Sequence, residues 1–137
     1  MALIELKHVV GGYGGYLYIG FAGPDGLELW RSATGAAGDW LPANVPGFGD
    51  ANNRSVLADG ATEHAGAFYL AASNRATGVQ VWRTSDGQTW APVVVDGWGD
   101  ARTAAAQLGS FNDHLYVWAA NYDTGQKVYR ARCGPPP

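Results

Sequence analysis

The sequence predicts an all-β fold built of four-stranded antiparallel blades, the arrangement of a β-propeller. An aromatic residue followed by arginine ends a short apolar run three times, at Trp30-Arg31, Trp82-Arg83 and Tyr129-Arg130. The three aromatic residues lie 52 and then 47 residues apart, and the preceding tyrosines, Tyr18, Tyr69 and Tyr116, keep steps of 51 and 47. A period of about 50 residues is typical of propeller blades, which bury their apolar faces only by stacking on one another.

The composition agrees with short strands joined by tight turns. The 137 residues include 20 Gly, 6 Trp and 7 Tyr, and only 15% are charged; strands favour aromatic residues and turns favour glycine. Only residues 101–108 show weak helical periodicity, and their place in the repeat assigns them to a strand. The net charge of −3, with no run of Lys or Arg, gives no basic surface for nucleic acid or an anionic membrane, so neither partner is expected.

The N-terminus gives no support for export, and the single cysteine gives none for a disulfide scaffold. Charged residues interrupt the first residues too early for the apolar core of a signal peptide, and no apolar run reaches transmembrane length. We therefore expect no signal peptide in this chain, and its compartment is left open. Cys133 has no second cysteine with which to form an internal disulfide. No cofactor is expected.

Each repeat begins with a hairpin. The predicted hairpin strands are Tyr16–Phe21 with Leu27–Ser32, Phe68–Ala72 with Val79–Thr84, and Leu115–Ala119 with Lys127–Ala131. In the first two copies a strand led by Trp40 or Trp90 and one further strand follow. A lone strand near Leu3–Val10 precedes the first hairpin, and prolines 135–137 end the third copy. The sequence thus predicts eleven strands, about two and three-quarter blades, in a domain of residues 1–132 with copies at 11–60, 61–110 and 111–132 and a tail at 133–137.

Eleven strands do not close a propeller, which has about four to eight blades. The open strand edges and blade faces invite pairing with another chain. We therefore expect a homo-oligomer that completes the ring, with a dimer as the simplest assembly.

Residues Thr84–Trp90 resemble the Asp-box of sialidases and many other propellers, and the sequence around them resembles bacterial propeller repeats of this type. The resemblance implies that Asp86 accepts hydrogen bonds from turn amides and that Gly87 adopts a left-handed conformation. It also implies that the Trp90 side chain packs into the core and so anchors the turn. The first copy keeps Trp40 but loses the Asp-Gly spacing. The box carries no activity in that family, so structural roles are expected for these residues and for the aromatic-arginine pairs, Trp30, Arg31, Trp82, Arg83, Tyr129 and Arg130.

Two loops with a Gly-aromatic-Gly-Asp pattern, at 47–54 and 97–102, are the candidate ligand sites. An aromatic ring can stack on the C–H face of a sugar while carboxylate, amide and guanidinium groups contact its hydroxyls. The candidate ligand-binding residues are Phe48, Asp50, Asn52, Arg54, Trp98, Asp100 and Arg102. In the alternative interpretation the two rings are core plugs, the two aspartates cap turns, and nothing binds.

Enzyme activity is not expected from this pattern. Arg31, Arg83 and Arg130 are similar in type to the arginine cluster of sialidases, but each occupies the same place in its repeat, as duplication alone would produce. A glycosidase also needs paired carboxylates, or a tyrosine nucleophile beside a carboxylate, and the repeat offers neither. Oxygen ligands at 50–53 match no established calcium loop, so no metal is expected. The expected function is lectin-like binding of glycans or small polar ligands by a non-enzymatic propeller; the alternatives are a structural or protein-interaction propeller, and a fragment of a larger sialidase-like glycoside hydrolase.

Overall fold

The computed structural model describes residues 8–131, which form eleven antiparallel strands and no α-helix. The strands are β1 (His8–Tyr13), β2 (Tyr16–Gly23), β3 (Gly26–Ser32), β4 (Leu41–Pro42), β5 (Ser55–His64), β6 (Ala67–Ser73), β7 (Gln80–Thr84), β8 (Trp90–Val94), β9 (Thr103–Phe111), β10 (His114–Asn121) and β11 (Gly125–Ala131). Within this part of the chain, no helix has the length and apolar character needed to span a membrane.

The strands form three sheets, each a simple meander. Blade 1 is β1-β2-β3-β4, blade 2 is β5-β6-β7-β8, and blade 3 is β9-β10-β11. The first strands, β1, β5 and β9, lie side by side and are the inner strands of the assembly. The predicted all-β fold of four-stranded antiparallel blades is confirmed, and the stretch at 101–108 does enter a strand, β9.

The boundaries of the first strand and of the copies differ from the prediction. The first strand is His8–Tyr13 and pairs with β2 through the turn at Gly14 and Gly15, because two glycines with positive φ make a tight hairpin there. The predicted residues 3–7 of that strand, Cys133 and the tail at 133–137 lie outside the described residues. The copy boundaries at 60/61 and 110/111 fall inside β5 and β9, since each blade begins with its inner strand.

The core consists of two layers, one at each contact between blades. Blade 1 packs against blade 2 through Tyr18, Leu27, Leu29, Val56, Phe68 and Leu70, all of them nearly inaccessible. Blade 2 packs against blade 3 through Tyr69, Val79, Val81, Leu108, Leu115 and Val117. Removing these apolar faces from water is the main contribution to stability, and it requires neighbouring blades.

The loops divide into two faces. The upper face carries loops 43–54, 74–79 and 95–102 and the turn at 122–124, where the inner strands β5 and β9 begin; the lower face carries the Asp-box-like turn at 85–89. Glycine pairs allow the upper loops to contact the strands beneath them. A Cβ on Gly78 would lie 2.8 Å from the Cα of Gly97, and one on Gly26 would lie 2.7 Å from the Cα of Gly47. Only glycine permits backbones to approach this closely.

Candidate functional site

The Asp-box-like turn is an anchor on the lower face. The amides of Gln88 and Thr89 donate to Asp86 Oδ1 at 2.8 and 2.7 Å, and these bonds hold the pKa of Asp86 well below its usual range. Gly87 has a φ of 81°, and its carbonyl accepts a hydrogen bond from the Tyr18 hydroxyl of blade 1 at 3.2 Å. The turn therefore fastens blade 2 to blade 1.

The two aromatic residues of the candidate loops stack on the neighbouring blade. The Phe48 ring lies over Trp82 with centroids 4.7 Å apart and an angle of 11° between the planes. The Trp98 ring lies over Tyr129 at 4.4 Å and 8°. Phe48 and Trp98 have φ values of 54° and 58°, which bulky residues rarely adopt. Each stack therefore includes a residue with a strained backbone conformation. One face of each ring is thus occupied by protein, and that face cannot stack on a sugar.

The two aspartates of the loops bind asparagines on the next blade. Asp50 Oδ2 accepts a hydrogen bond from Asn74 Nδ2 at 3.1 Å, and Asp100 Oδ2 accepts one from Asn121 Nδ2 at 2.9 Å. The side chain and the amide of Arg102 also donate to Asp100 and lower its pKa to about 2. Each carboxylate therefore joins its loop to the following blade.

An inter-blade groove lies on the upper face between blades 2 and 3. It has a volume of about 420 Å³, and its walls include Asn52, Arg54, Ser73, Arg75 and Tyr122. It continues past Arg75 and Tyr122 into a second hollow of about 440 Å³ that reaches Arg102. The groove begins where the inner strands β5 and β9 begin, so two blades supply its walls.

The charges in the inter-blade groove are unevenly distributed. None of the described residues that line the first hollow is acidic, whereas two arginines, Arg54 and Arg75, do line it. The Arg75 guanidinium lies over the Tyr122 ring, 5.4 Å from its centroid, a favourable cation–π arrangement. Arg102, at the far end, is paired with Asp100 and Asp123 at 3.0 and 2.9 Å. One end of the groove therefore carries two guanidiniums, and at the other end the single guanidinium is paired with two carboxylates.

The structure separates the seven candidate residues into two groups, and their ligand-binding role stays a prediction. Asn52, Arg54 and Arg102 border the groove, whereas Phe48, Asp50, Trp98 and Asp100 position the loops. Sequence reasoning missed Arg75 and Tyr122, which lie outside the Gly-aromatic-Gly-Asp pattern. The signal that marks them is the recurrence of a buried asparagine before each, Asn74 and Asn121, at the 47-residue step of the repeat.

Solved structures with this fold include two of the Bombyx mori GH32 beta-fructofuranosidase BmSUC1. A point mutant of that enzyme in complex with sucrose gives a TM-score of 0.58 at 18% identity, over 90% of this chain and 32% of that chain. A second structure of the enzyme gives 0.52 at 18% identity, over 88% and 31%. No protein-family model matches the chain, and no curated protein matches it significantly. The Asp-box resemblance thus has no matching family model, and the chain spans about a third of these neighbours.

The comparison corrects the expectation that this chain is not an enzyme. The neighbours that share its fold are glycoside hydrolases, so repeated propeller blades do not indicate a non-catalytic protein. The expectation depended on the absence of a carboxylate pair from the repeat. In a chain that spans about a third of such an enzyme, that absence has no weight, because the two carboxylates of a glycosidase can come from different blades.

Proposed function

We propose that this chain is a three-blade segment of a glycoside-hydrolase-type propeller, and that its inter-blade groove binds carbohydrate. The observation that carries the proposal is the position of the groove, at the start of two adjacent inner strands and between two blades. Ligand sites favour such concave junctions between packed units. The fold neighbours add support, because one of them is described in complex with sucrose.

The walls of the inter-blade groove have the chemistry that a sugar requires. Tyr122 is 63% exposed; the Arg75 guanidinium lies over one face of its ring, and the other face is the one on which a pyranose or furanose can stack. Asn52 and Ser55 supply an amide and a hydroxyl group for sugar hydroxyls, and each can both donate and accept. A volume of about 420 Å³ lies within the range of small-ligand pockets and suits one or two sugar rings.

The test measures the binding of neutral and acidic oligosaccharides to the wild-type protein and to Tyr122→Ala, by calorimetry or by NMR chemical-shift changes. Loss of the stacking ring should weaken binding at least about tenfold. Phe111→Ala is the matched control, because Phe111 is 66% exposed at the lower end of β9 and should leave binding unchanged. Equal binding by wild type and Tyr122→Ala would place the sugar elsewhere and contradict the proposal.

We further propose that another blade covers the outer face of blade 3, and that a second copy of this chain can supply it. Trp118 and Val128 are 53% and 67% exposed on this face, yet they occupy the positions of Ala71 and Val81, which are buried in blade 2. An apolar face of this kind favours association. Light scattering should give twice the monomer mass, and Trp118→Lys should give a monomer. A folded monomer of the wild-type chain at micromolar concentration would contradict this assembly.

A further inference from the structure

We propose that the ligand of the inter-blade groove is an acidic sugar whose carboxylate is held by Arg54 and Arg75. This inference rests on the proposed carbohydrate-binding function and specifies its ligand. Both arginines line the same hollow, whose described walls contain no Asp or Glu. This positive site occurs in a chain whose net charge is −3, so it does not follow from a generally basic surface.

The positive charges of Arg54 and Arg75 are available to a ligand. Among residues 8–131 the ion pairs all involve Arg102, and neither Arg54 nor Arg75 has a carboxylate within reach. Arginines that serve as anchors differ in this respect. Arg31, for example, is buried and donates to the Tyr18 hydroxyl and the Asp86 carbonyl. Arg54 and Arg75, in contrast, are exposed, and both line the hollow.

The backbone positions of the two arginines are fixed by one buried network. Arg54 directly follows Asn53, and Arg75 directly follows Asn74; these asparagines are 0% and 1% exposed. Asn74 Nδ2 donates to Asn53 Oδ1 at 3.0 Å, so the two residues that precede the arginines are bonded to each other. The amide of Arg54 also donates to the carbonyl of Ser73 at 3.1 Å. The network fixes the two backbones next to each other before a ligand arrives, so only the side chains have to be ordered on binding.

The chemistry of guanidinium groups favours a carboxylate at this end of the groove. A guanidinium presents paired N–H donors in a planar fork that matches the two oxygens of a carboxylate. Arg75 is further oriented by the Tyr122 ring, which leaves its edge donors free for the ligand. At the other end Arg102 is already paired with two carboxylates, Asp100 and Asp123. That end suits hydroxyl groups, so a sugar acid with its carboxylate toward Arg54 and Arg75 fits both ends.

The experiment compares a glucuronic-acid disaccharide with the matching glucose disaccharide in calorimetric titrations. The wild-type protein should bind the acidic disaccharide at least about tenfold more tightly than the neutral one. This preference should decrease as the salt concentration is raised. Arg54→Gln and Arg75→Gln should each reduce the preference about tenfold while changing the affinity for the neutral disaccharide little. Arg83→Gln, an exposed arginine on β7 that does not line the groove, should change neither affinity.

The outcomes separate this inference from the proposed function. Equal affinity for the two disaccharides, unaffected by the arginine variants, would overturn the acidic ligand and leave carbohydrate binding intact. Failure of both disaccharides and of a broader sugar set to bind would overturn both. Inorganic phosphate that competes as strongly as the acidic disaccharide would show a general anion site and overturn the sugar acid. Arg54→Lys checks folding and charge together: its melting temperature should match wild type, and it should retain part of the preference.

Discussion

The indole ring of Trp98 lies flat against the phenol ring of Tyr129, with centroids 4.4 Å apart and planes 8° from parallel. The same relationship joins Phe48 to Trp82 one repeat earlier. In both cases the loop that follows one blade covers the aromatic member of the aromatic-arginine pair in the next blade. The pairs at Trp82 and Tyr129 therefore serve the contact between blades.

The Trp98–Tyr129 stack should appear as an energetic coupling. Trp98→Ala and Tyr129→Ala should each destabilise the protein, and the double variant should lose less than the sum by about 0.5–1.5 kcal/mol, the usual contribution of an aromatic pair. Urea unfolding measures all three. Trp98→Ala combined with Phe111→Ala is the control and should be additive, because Phe111 is exposed at the lower end of β9. Additive losses for the Trp98–Tyr129 pair itself would argue against the stack.

Gly97→Ala should be strongly destabilising. An added Cβ would lie 2.5 Å from the carbonyl oxygen of Asp100 and 2.8 Å from that of Thr103, at a φ of 62°. We expect a loss of at least about 1 kcal/mol in the free energy of unfolding. Gly99→Ala is a matched control, since its φ is also left-handed, 82°, but no atom lies within 4 Å of the added Cβ. Equal losses at the two glycines would mean that conformation alone, and not close packing, requires Gly97.

Asp86→Ala should lower the melting temperature, because the amides of Gln88 and Thr89 and the hydroxyl of Thr84 lose their common acceptor. Asp86→Asn keeps one oxygen acceptor and should lose less. Thr34→Ala, in the divergent turn of the first copy, is the comparison: Thr34 is exposed and bonds only within its own turn. A loss at Thr34 as large as that at Asp86 would contradict the special role of the turn on the lower face.

Asp100 should make the protein sensitive to acid. The side chain and amide of Arg102 lower its pKa in the folded state to about 2, whereas an unfolded aspartate has a pKa of about 3.9. The carboxylate therefore stabilises the fold above pH of about 4, and this contribution is lost as the pH falls toward about 2. Asp100→Asn should flatten the pH dependence of the melting temperature in that interval. An unchanged pH profile in Asp100→Asn would show that the contacts with Arg102 and Asn121 do not contribute to stability.

The sequence was sufficient for the architecture because the blade pattern is repeated and largely local. Tyr18, Tyr69 and Tyr116 mark the second strand of each blade, and the aromatic-arginine pairs mark the third. The C-terminal end of the first strand was predicted too early, because the alternation is weak there and the strand continues through Gly11 and Gly12 to Tyr13. A propensity argument reads such glycines as a loop, whereas pairing with β2 draws them into the sheet.

The site was harder to predict, because its walls come from residues distant in sequence. Arg75 and Tyr122 are 47 residues apart and meet only because blades 2 and 3 lie next to each other. The loops at 47–54 and 97–102 were identified, but the sequence could not show that Phe48 faces Trp82, 34 residues away. A repeated pattern identifies equivalent positions; it does not identify the residues that touch across two repeats.

Because each upper-face loop is completed by the blade that follows it, a chain of this design can lengthen only by whole periods. A duplicated segment of one full period carries both Asp50 and its partner Asn74, or their equivalents, wherever the segment begins. A segment that contained the strands of one blade without the preceding loop would leave an asparagine and an aromatic ring without their partners. The similar length of the repeats, with steps of 52 and 47 residues between aromatic positions, then reflects the pairing of each loop with the next blade as well as the fold of each blade.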